Sequence, residues 1–598
     1  MGENQRDKLK KELDILPQGT VVYKTIKGKK QPYLQWSENG KTKSRYIKVN
    51  ERNEILAKVN RRKEIMQELK ETKQNAEETF RTRVSAGEEL FHMTEWVKKF
   101  HKRDVYASLK KYMSEDSFGK VCLLYGLRRT GKTTMLFQLV QDMSEEDRNR
   151  TVYIKAKVTD TMANFNHDLK ILEEKGIRTV LIDEVTLMSD FIDSASLFSD
   201  IFAMTGMKIV LSGTDSLGFW FAMNNELYDR AYMLHTTYIP FREYQRLLGI
   251  DDIDEYIRYG GTLQAGETAF DDPDALEEDA AFRDDESLRR YIDTSVCRNI
   301  QHSLKCCENG NYFRHLRSLY EAGELTGAIN RVIESMNHQF LLSVFTEKFK
   351  FHDLGSAAQQ LRTQKDPEKK TDILDRIDQE AVTKKLMEML EIRNQEDQTI
   401  GITPAHVYEI KEYLKALDLV VDCPKETVVP EGEPVEYVLF TQPGMRYCEA
   451  QTLVHVLMKD PLFSSFSEME KDLACNKILE DVRGRMMEDM ILLETSRSLP
   501  KTKRTFKLTL ARSEFDMVIF NRETGSCEAY EIKHTKNIFP RQYHVLEDEE
   551  QCSLAEKKYG TITRRCVIYR GEDQTLENGI EYRNAEAFLT EKEEEKKS

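Results

Sequence analysis

Two groups of residues in this 598-residue chain have the types and the spacing that phosphate chemistry requires. The first lies in "VCLLYGLRRTGKTTMLFQLV", where Gly126, Gly131, Lys132 and Thr133 fit the pattern G-x-x-x-x-G-K-[ST]. Glycines let backbone N–H groups close around phosphate oxygens, and the N-terminus of the next helix adds a partial positive charge. We therefore expect Lys132 to contact the terminal phosphates of a nucleotide and Thr133 to ligate Mg²⁺.

The elements around this loop are the ones that such a site needs. An apolar run from Val121 to Tyr125 predicts a buried strand before the loop, and Thr134 to Val140 predicts the helix after it. A chance match in a glycine-containing turn is the alternative, and the strand–loop–helix context disfavours it. The expected ATP-binding residues are Gly126, Leu127, Arg128, Arg129, Thr130, Gly131, Lys132, Thr133 and Thr134.

Two adjacent carboxylates end the next apolar strand, in "IRTVLIDEV". Carboxylates at the end of a buried strand are costly unless a cation or a reaction uses them. We expect Asp183 to hold Mg²⁺ and Glu184 to orient and deprotonate the attacking water, with two ordinary surface acids as the alternative. A third strand, "MKIVLSGT", ends in Ser212 and Thr214, where a polar residue could sense the γ-phosphate. The three segments together predict ATP hydrolysis.

The second group lies in "SEFDMVIFNRETGSCEAYEIKHTKN", which predicts strands Glu514 to Phe520 and Cys527 to His534. Glu531 and Lys533 share one face of the second strand because side chains alternate. With Asp516 on the first strand, they match the PD-(D/E)xK nuclease constellation. We expect the two carboxylates to hold a metal ion against the scissile phosphate, and the lysine to act on water and on the developing charge.

Two interpretations of this second group are left open. Glu488, in the predicted helix "DVRGRMMEDMILLETS", offers a further ligand or an acid that shapes the site. A chain with 32% charged residues also shows such a pattern by chance, and many proteins with such folds have lost activity. A salt-bridged structural sheet is therefore the alternative to a metal-dependent nuclease.

The N-terminal region has its own charge and pattern. Residues 1–75 hold 19 Lys and Arg against 10 Asp and Glu, whereas residues 251–287 hold 14 acids against 2 bases. Residues 17–50 alternate bulky and polar side chains, which predicts a three-stranded meander, and a charged helix follows from Glu51 to Thr82. Cations and flat rings suit a nucleic-acid surface, and packing of the rings on the helix is the alternative. The rings are Tyr23, Tyr33, Trp36 and Tyr46.

Composition limits the remaining classes of protein. No apolar run approaches the ~20 residues of a membrane span, and no secretory core follows the first residues. Ten cysteines are scattered without a C-x-x-C pair. We expect a cytoplasmic protein with reduced thiols and no membrane partner. The acidic segment at 251–287 is expected to be a solvated, partly mobile connection, and repulsion of a polyanion or coverage of a basic face in cis is the alternative.

Four segments in this order resemble the prokaryotic AAA-type ATPases that have a C-terminal domain of unknown function: "YGLRRTGKTTM", "VLIDEV", "VLSGT" and "NNELYDRAYMLHTTYIPFREY". The resemblance covers roughly residues 90–590 and implies a parallel-sheet core, a helical lid and a nuclease-like fold at the C-terminal end. It also implies a Gly-Arg segment before "PFREY", where Asp229 stands in place of the glycine and Arg230 matches. Arg230 would approach the γ-phosphate in cis, approach it from a neighbouring subunit of a homo-oligomer, or pair with an acid.

The expected fold class is multidomain α/β. The expected domains are a basic β-meander plus helix at 1–88, a P-loop AAA-type ATPase at 89–250, an acidic linker and helical lid at 251–395, a winged-helix-like segment at 396–465 and a PD-(D/E)xK nuclease-like domain at 466–598. The winged helix rests on a helix capped by Thr403 and on a hairpin in "TVVPEGEPVEYVLF". We expect a DNA-associated ATPase whose nucleotide state gates the nuclease-like module. An ATPase switch with an inactive nuclease fold that binds protein or DNA is the alternative.

Overall fold

A computed structural model gives the structure of the chain. It describes residues 12–13, 15–26, 29–38, 41–77, 79–116, 119–263, 282, 284–306, 313–351, 384–385, 388, 401–428, 437–510 and 512–591. The described residues fall into two compact units. The first holds those up to Thr82 together with His167–Lys175, and the second holds the others.

The first unit contains the predicted meander and helix. Its strands, paired antiparallel in sequence order, are β1 (Thr20–Ile26), β2 (Lys29–Glu38) and β3 (Lys41–Tyr46). The helix is Arg52–Glu77. One face of the sheet packs on this helix through a small apolar core of Leu34, Ile47, Ile55 and Val59, with Val21 and Trp36 against it.

A six-stranded sheet forms the part of the second unit that carries the phosphate-loop motif, in the order β4-β6-β7-β8-β5-β9. Its strands are β4 (Val84–Ala86), β5 (Val121–Tyr125), β6 (Thr151–Lys155), β7 (Thr179–Asp183), β8 (Lys208–Gly213) and β9 (Ala231–His235). All pairs are parallel except the β4–β6 pair at the edge. The carboxyl ends of β5, β7 and β8 therefore meet at one edge, where the phosphate loop and the two acids follow their strands.

Helices cover this sheet and extend beyond it. In chain order they are Gly87–Thr94, Tyr106–Ser114, Lys132–Asp142, Glu145–Asn149, Met162–Glu174, Ser216–Asn225, Phe241–Leu248, Ile253–Tyr259, Asp285–Ile292, Arg298–Cys306, Arg314–Glu321 and Leu325–Phe351. Short 3-10 or π turns lie at Glu95–Lys99, Val185–Leu187, Phe198–Ala203 and Asp293–Cys297.

The acidic segment departs from the expected solvated connection at its start. Asp252 caps a helix at Ile253–Tyr259 by accepting hydrogen bonds from two backbone amides of the first turn. Tyr256 and Ile257 of this helix are buried in an apolar core that they share with residues of the C-terminal part. Alternation of acids with apolar residues at helical spacing produced this helix, which a count of charges alone does not show. Residues 264–281 of the acidic segment lie outside the described residues.

The expected winged-helix segment is confirmed in its helix but not in its hairpin. Thr403 caps the helix Pro404–Ala416, as predicted. Strand β10 (Val420–Asp422) pairs with β12 (Val438–Phe440), and β11 (Lys425–Thr427) joins the C-terminal sheet instead. The expected turn between β11 and β12 lies partly at residues 429–436, outside the described residues. A helix, Pro443–Leu457, follows.

The C-terminal part begins with a 31-residue helix, Glu468–Ser498, that packs on a seven-stranded sheet of order β11-β13-β14-β15-β16-β18-β17. The remaining strands are β13 (Lys503–Thr509), β14 (Glu514–Asn521), β15 (Ser526–Lys533), β16 (Ile562–Tyr569), β17 (Gln574–Thr575) and β18 (Glu581–Asn584). The remaining helices and turns are Pro461–Phe463, Pro540–Gln542, His544–Glu547, Glu549–Tyr559 and Ala585–Glu591. Strands β13, β14 and β15 form an antiparallel meander, and β16 returns parallel to β15 after a helical crossover. The two predicted strands are thus confirmed, with bounds shifted by one residue.

Candidate functional site

The phosphate loop has the backbone that its glycines predict. Gly126 and Gly131 have φ angles of 144° and 86°, in the region that disfavours other residues. A Cβ on Gly126 would lie 2.3 Å from the carbonyl oxygen of Thr236, so this position requires glycine for space as well. Lys132 begins the next helix and is buried, and its ammonium donates to the carbonyls of Gly126 (2.9 Å) and Leu127 (2.8 Å). Burial lowers the pKa of Lys132 to about 8, although Glu184 and Asp183 act in the opposite direction.

Asp183 and Thr133 lie side by side, as a shared Mg²⁺ requires. The Thr133 hydroxyl donates to Asp183 Oδ2 at 2.8 Å. Two more hydroxyls donate to the same carboxylate, from Tyr153 at 3.0 Å and from Ser212 at 2.6 Å. Asp183 is 1% exposed, so a carboxylate is buried here among hydroxyl groups, which are weaker partners for its charge than a cation.

Glu184 has a left-handed backbone, with φ of 57°. Its side chain accepts a hydrogen bond from the Thr214 hydroxyl at 3.3 Å. A non-glycine residue in this region stores strain, and such residues cluster at functional sites. Thr214 is held in turn by the helix Arg298–Cys306, because the Asn299 side chain donates to the Thr214 carbonyl at 3.1 Å. Both polar residues predicted at the end of the third strand, Ser212 and Thr214, thus contact the acid pair.

A buried ion pair behind the phosphate loop was missed by sequence reasoning. The Arg103 guanidinium contacts the Glu243 carboxylate at 2.6 Å and donates to the carbonyls of Thr130 (2.9 Å) and Tyr238 (3.2 Å). Both side chains of the pair are at most 5% exposed. Glu243 belongs to the "PFREY" segment of the family resemblance, which was the available signal, but no pattern connected it with Arg103, 140 positions earlier.

Arg230 pairs with an acid, the third of the alternatives. It lies against Asp200, and both side chains are about half exposed. Asp229 has φ of 57°, in the left-handed region that favours glycine. This conformation explains why the resemblance implies a glycine at this position.

An apolar pocket opens beside the phosphate loop. Gly131 and Thr134 of the loop form one side of it. The other lining residues are Phe100, His101, Arg103, Met135, Gln138, Leu247, Leu248 and Leu263. A flat group attached to phosphates in the loop could reach this pocket.

The second candidate site brings its three predicted residues together. Lys533 Nζ lies 2.8 Å from Asp516 Oδ2 and 2.7 Å from Glu531 Oε2. The backbone amide of Ile532 also donates to Asp516 Oδ2, at 2.8 Å. Both carboxylates are buried, and the buried Glu531 Oε1 has no hydrogen-bond partner among the described residues. One acceptor of the cluster is therefore available for a further partner.

The surroundings shift the pKa values of Asp516 and Glu531 in opposite directions. Burial disfavours the charged form of Asp516, but the Lys533 and Lys507 ammonium groups outweigh it and hold the pKa of Asp516 well below its usual range. At Glu531, burial prevails with the help of the nearby Asp516 charge and raises the pKa to about 8. Burial also works against charge on Lys533, but Asp516 and Glu531 raise the pKa of this lysine well above its usual value.

Glu488 is placed beside this cluster rather than in it. Its carboxylate contacts Arg485 at 2.8 Å and Lys507 at 3.3 Å. Lys507 also contacts Glu514 at 3.0 Å. In the described part of the chain no group of three or more His, Cys, Asp or Glu side chains is arranged to hold a metal ion. Two carboxylates, not three, are thus brought together at the second site.

Lys507 was also missed by sequence reasoning. It is 4% exposed, and the register of β13 against β14 shifts between Phe506 and Leu508. Such a bulge re-aims a side chain, so strict alternation along "KRTFKLTL" does not locate Lys507.

Some of the four rings of the first unit pack in its core, and others are exposed as a nucleic-acid surface would require. Trp36 packs on the apolar core, whereas Tyr23 and Tyr46 are 50% and 41% exposed. Tyr33 pairs with Tyr46 across the sheet, with ring centroids 5.5 Å apart. Lys24 lies over the Tyr33 ring at 4.8 Å and faces the same side.

The helices and the cysteines of the described residues bear on the class of protein. None of their helices is long and apolar enough to cross a membrane. The thiols are free at Cys122, Cys297, Cys423, Cys448, Cys475, Cys527, Cys552 and Cys566.

Comparisons with known proteins cover parts of the chain. Residues 119–245 match the family described as "AAA domain", and residues 3–57 match a "Domain of unknown function (DUF6788)". No curated protein matches. The chain is similar to the Aeropyrum pernix ORC1 protein in complex with DNA, with 13% identity, a TM-score of 0.23, and coverage of 63% of this chain and 97% of that one. It is also similar to the S. cerevisiae Hsp104–ADP complex, with 12% identity, a TM-score of 0.22, and coverage of 65% of this chain and half of that one. The match of residues 119–245 to an AAA domain, together with the geometry of the phosphate loop, supports binding and hydrolysis of ATP there.

Proposed function

We propose that the protein hydrolyses ATP and that its C-terminal sheet carries a metal-dependent centre that cuts DNA, with nucleotide state controlling access. The observation that carries the second half is the convergence of Asp516, Glu531 and Lys533 on two adjacent strands, with one buried carboxylate oxygen left without a partner.

In the ATPase site the residues have separate tasks. Lys132 leaves its two loop carbonyls to bind the terminal phosphates, while the loop amides hold the phosphate oxygens. Thr133 and Asp183 fit Mg²⁺, because a hydroxyl and a carboxylate oxygen 2.8 Å apart are ligands that this ion prefers. Glu184, positioned by Thr214, orients the attacking water and accepts its proton.

The C-terminal site fits a divalent cation held by Asp516 and Glu531. Mg²⁺ is commonly bound by one or two carboxylates, with waters and substrate phosphate completing its shell, so a third carboxylate is not required. When bound, the cation supplies Lewis-acid polarisation of the scissile phosphate. Glu531 Oε1 is the acceptor without a partner, which favours such a ligand. Lys533, between the two carboxylates, orients water and balances charge that develops on the phosphate.

DNA is proposed as the partner on the basis of charge and rings in the first unit. Residues 1–75 carry a balance of +9 within a chain of net charge −14, so the remaining residues sum to −23. Lys24, Tyr33 and Tyr46 lie on the face of the sheet that the helix does not cover. Cations bind phosphates and exposed rings stack on bases without sequence preference.

The alternative is an ATPase switch whose nuclease-like fold is inactive. The contacts of Lys533 with both carboxylates favour it, because a lysine that neutralises two buried carboxylates also forms a structural unit. In that case the C-terminal sheet would bind protein or DNA without cutting it.

A nuclease assay with single- and double-stranded DNA, Mg²⁺ or Mn²⁺, and ATP, ADP or no nucleotide distinguishes the two. Asp516→Ala should abolish DNA cleavage and weaken metal binding. Lys533→Ala should bind the metal ion normally but cut DNA much more slowly. Glu523→Ala, an exposed acid in the turn of the same hairpin, is the matched control and should cut normally. A wild-type protein that binds DNA yet never cuts it would decide for the inactive fold.

A further inference from the structure

The phosphate loop is held from behind by a side chain that is not part of the loop. Arg103 donates to the carbonyl of Thr130, one residue before Gly131, and its aliphatic stem lies beside the Gly131 backbone. It also donates to the carbonyls of Thr237 and Tyr238, which follow β9. Only a planar guanidinium with five donors can bind three carbonyls and a carboxylate at once.

Glu243 fixes the direction of that guanidinium. It contacts Arg103 at 2.6 Å and also accepts a hydrogen bond from the backbone amide of Asp104, next to Arg103. Glu243 lies in the first turn of the helix Phe241–Leu248, so the position of this helix sets the position of the clamp. We name Arg103 and Glu243 the loop clamp.

The helix that carries the clamp is capped by a residue from the C-terminal part. Its own N-cap position is Pro240, which offers no side-chain acceptor. Glu494, on the long helix Glu468–Ser498, accepts a hydrogen bond from the backbone amide of Phe241 at 2.6 Å. A carboxylate at a helix N-terminus satisfies an amide that has no partner within the helix and interacts favourably with the helix dipole.

The same long helix carries Glu488, which lies beside the second site and contacts Lys507, six positions before Glu494. A cavity of about 280 Å³ adjoins Glu494, Arg242 and Arg497, so the junction has room to change its geometry. A continuous series of contacts therefore runs from Thr130 through the clamp and the cap to the helix beside Asp516.

We propose that Arg103 and Glu243 are positioning residues for the phosphate loop, and that Glu494 places them under the control of the C-terminal helix. The inference rests on the proposed ATPase function. Movement of the helix Glu468–Ser498 alters the cap, the cap moves the helix Phe241–Leu248, and the clamp changes the shape of the phosphate loop. ATP turnover then depends on the state of the C-terminal part.

The test measures kcat and KM for ATP, affinity for a fluorescent ADP analogue and the thermal transition. Arg103→Lys and Glu243→Gln should weaken nucleotide affinity about tenfold, which corresponds to about 1.4 kcal/mol, because each variant loses a charge-assisted contact of the clamp. Glu494→Ala should lower kcat about three- to tenfold with KM little changed, and Glu494→Gln, whose amide oxygen can still accept from Phe241, should restore most of it. Glu480→Ala, an exposed acid on the same helix, should behave as wild type.

The outcomes are separable. If wild type does not hydrolyse ATP, the proposed function fails, and the ADP affinities still report on the clamp. Normal affinity in both clamp variants, with intact folding, would show that the pair is only structural. If Glu494→Ala turns over ATP as Glu480→Ala does, the C-terminal control is wrong. If the clamp variants do not fold, the pair is structural, and the two Glu494 variants then test control by the C-terminal helix on their own.

Discussion

At the scale of single residues, the phosphate loop depends on one buried cation. Lys132 has two carbonyl partners and lies at the start of its helix, so Lys132→Ala leaves phosphate charge uncompensated. We expect this variant to lose hydrolysis and to bind ATP weakly, whereas Glu184→Gln should bind ATP and turn over slowly. Phosphate release and nucleotide affinity measure both. Lys120→Ala, exposed just before β5, is the control, and wild-type turnover in Lys132→Ala would contradict the assignment.

A second residue-scale prediction concerns pH. Burial raises the pKa of Glu494 to about 7, although its hydrogen bond from Phe241 acts in the opposite direction. The folded state therefore holds a proton that the unfolded state releases from about pH 4.5, so wild type loses stability as pH rises towards 7. The Glu494→Gln side chain does not titrate. Between pH 5 and pH 8 its free energy of unfolding should therefore rise relative to that of wild type, by at most on the order of 3 kcal/mol. Parallel melting curves at all pH values would contradict this.

Which site residues the sequence predicts depends on how local their signals are. Lys132 and Thr133 belong to one short motif, and Asp516, Glu531 and Lys533 belong to one hairpin, so their spacing is visible in the chain. Arg103 acts through contacts with segments more than 25 positions away, and Lys507 is turned inward by a bulge. Neither a contact between distant segments nor a bulge can be predicted from the periodicity of neighbouring residues.

At the scale of elements, the face of the β1–β3 sheet that the helix leaves uncovered leads to a prediction about nucleic acid. Tyr33→Ala and Tyr46→Ala should each weaken binding of single-stranded DNA, because a stacked base is worth about 1–3 kcal/mol. Lys24→Ala should lower the slope of log affinity against log salt by roughly one. Titrations at several salt concentrations measure both effects.

The matched control for this surface lies on the helix of the same unit. Lys58→Ala removes the same charge from Arg52–Glu77, where Lys58 pairs with Glu54. If Lys58→Ala and Lys24→Ala change affinity equally, the basic charge of the unit acts without a defined face. If neither ring variant changes affinity, the rings of this sheet have a structural role only.

Elements were predicted well where one local pattern determines them. Strands β5, β7 and β8 are buried on both faces and read as continuous apolar runs, and Thr403 with Pro404 fixes the start of a helix. The expected hairpin of the winged-helix segment is not confirmed. Its turn lies partly outside the described residues, and the three-residue strand β11 is too short to specify its own partner. It pairs in parallel with β13, a strand about 80 positions later, and such a pairing leaves no local trace.

At the scale of the molecule, one apolar core contains residues from both the ATPase part and the C-terminal part of the second unit. It includes Tyr244 and Tyr256 from the former and Met487, Ile532 and Phe588 from the latter. The helix Ile253–Tyr259 lies within this shared core, and the chain that follows it returns to the phosphate loop, since the Leu263 amide donates to the carbonyl of Arg129 at 2.9 Å. Both sites therefore belong to one cooperative body.

Asp254 on that helix is the polar contact that should matter most to this cooperativity. It accepts a hydrogen bond from His534, directly after Lys533, at 2.7 Å, and it pairs with Arg570. Burial would raise the pKa of Asp254, but His534 and Arg570 outweigh it and hold the pKa below its usual value. The stabilisation is therefore present above about pH 4 and is lost as pH falls through the lowered pKa.

Asp254→Ala should leave the partly buried guanidinium of Arg570 with fewer acceptors. It should destabilise the contact between the two parts by about 2 kcal/mol at pH 7, because the remaining charged group loses a partner that compensated its desolvation. Scanning calorimetry should show the transition of the second unit broadening or splitting, with the C-terminal sheet melting first. Near pH 3 the difference from wild type should shrink, because the carboxylate is then increasingly protonated. Asp251→Ala, an exposed acid three positions earlier, should melt as wild type does. A single unshifted transition in Asp254→Ala at pH 7 would show that the apolar core alone holds the two parts together.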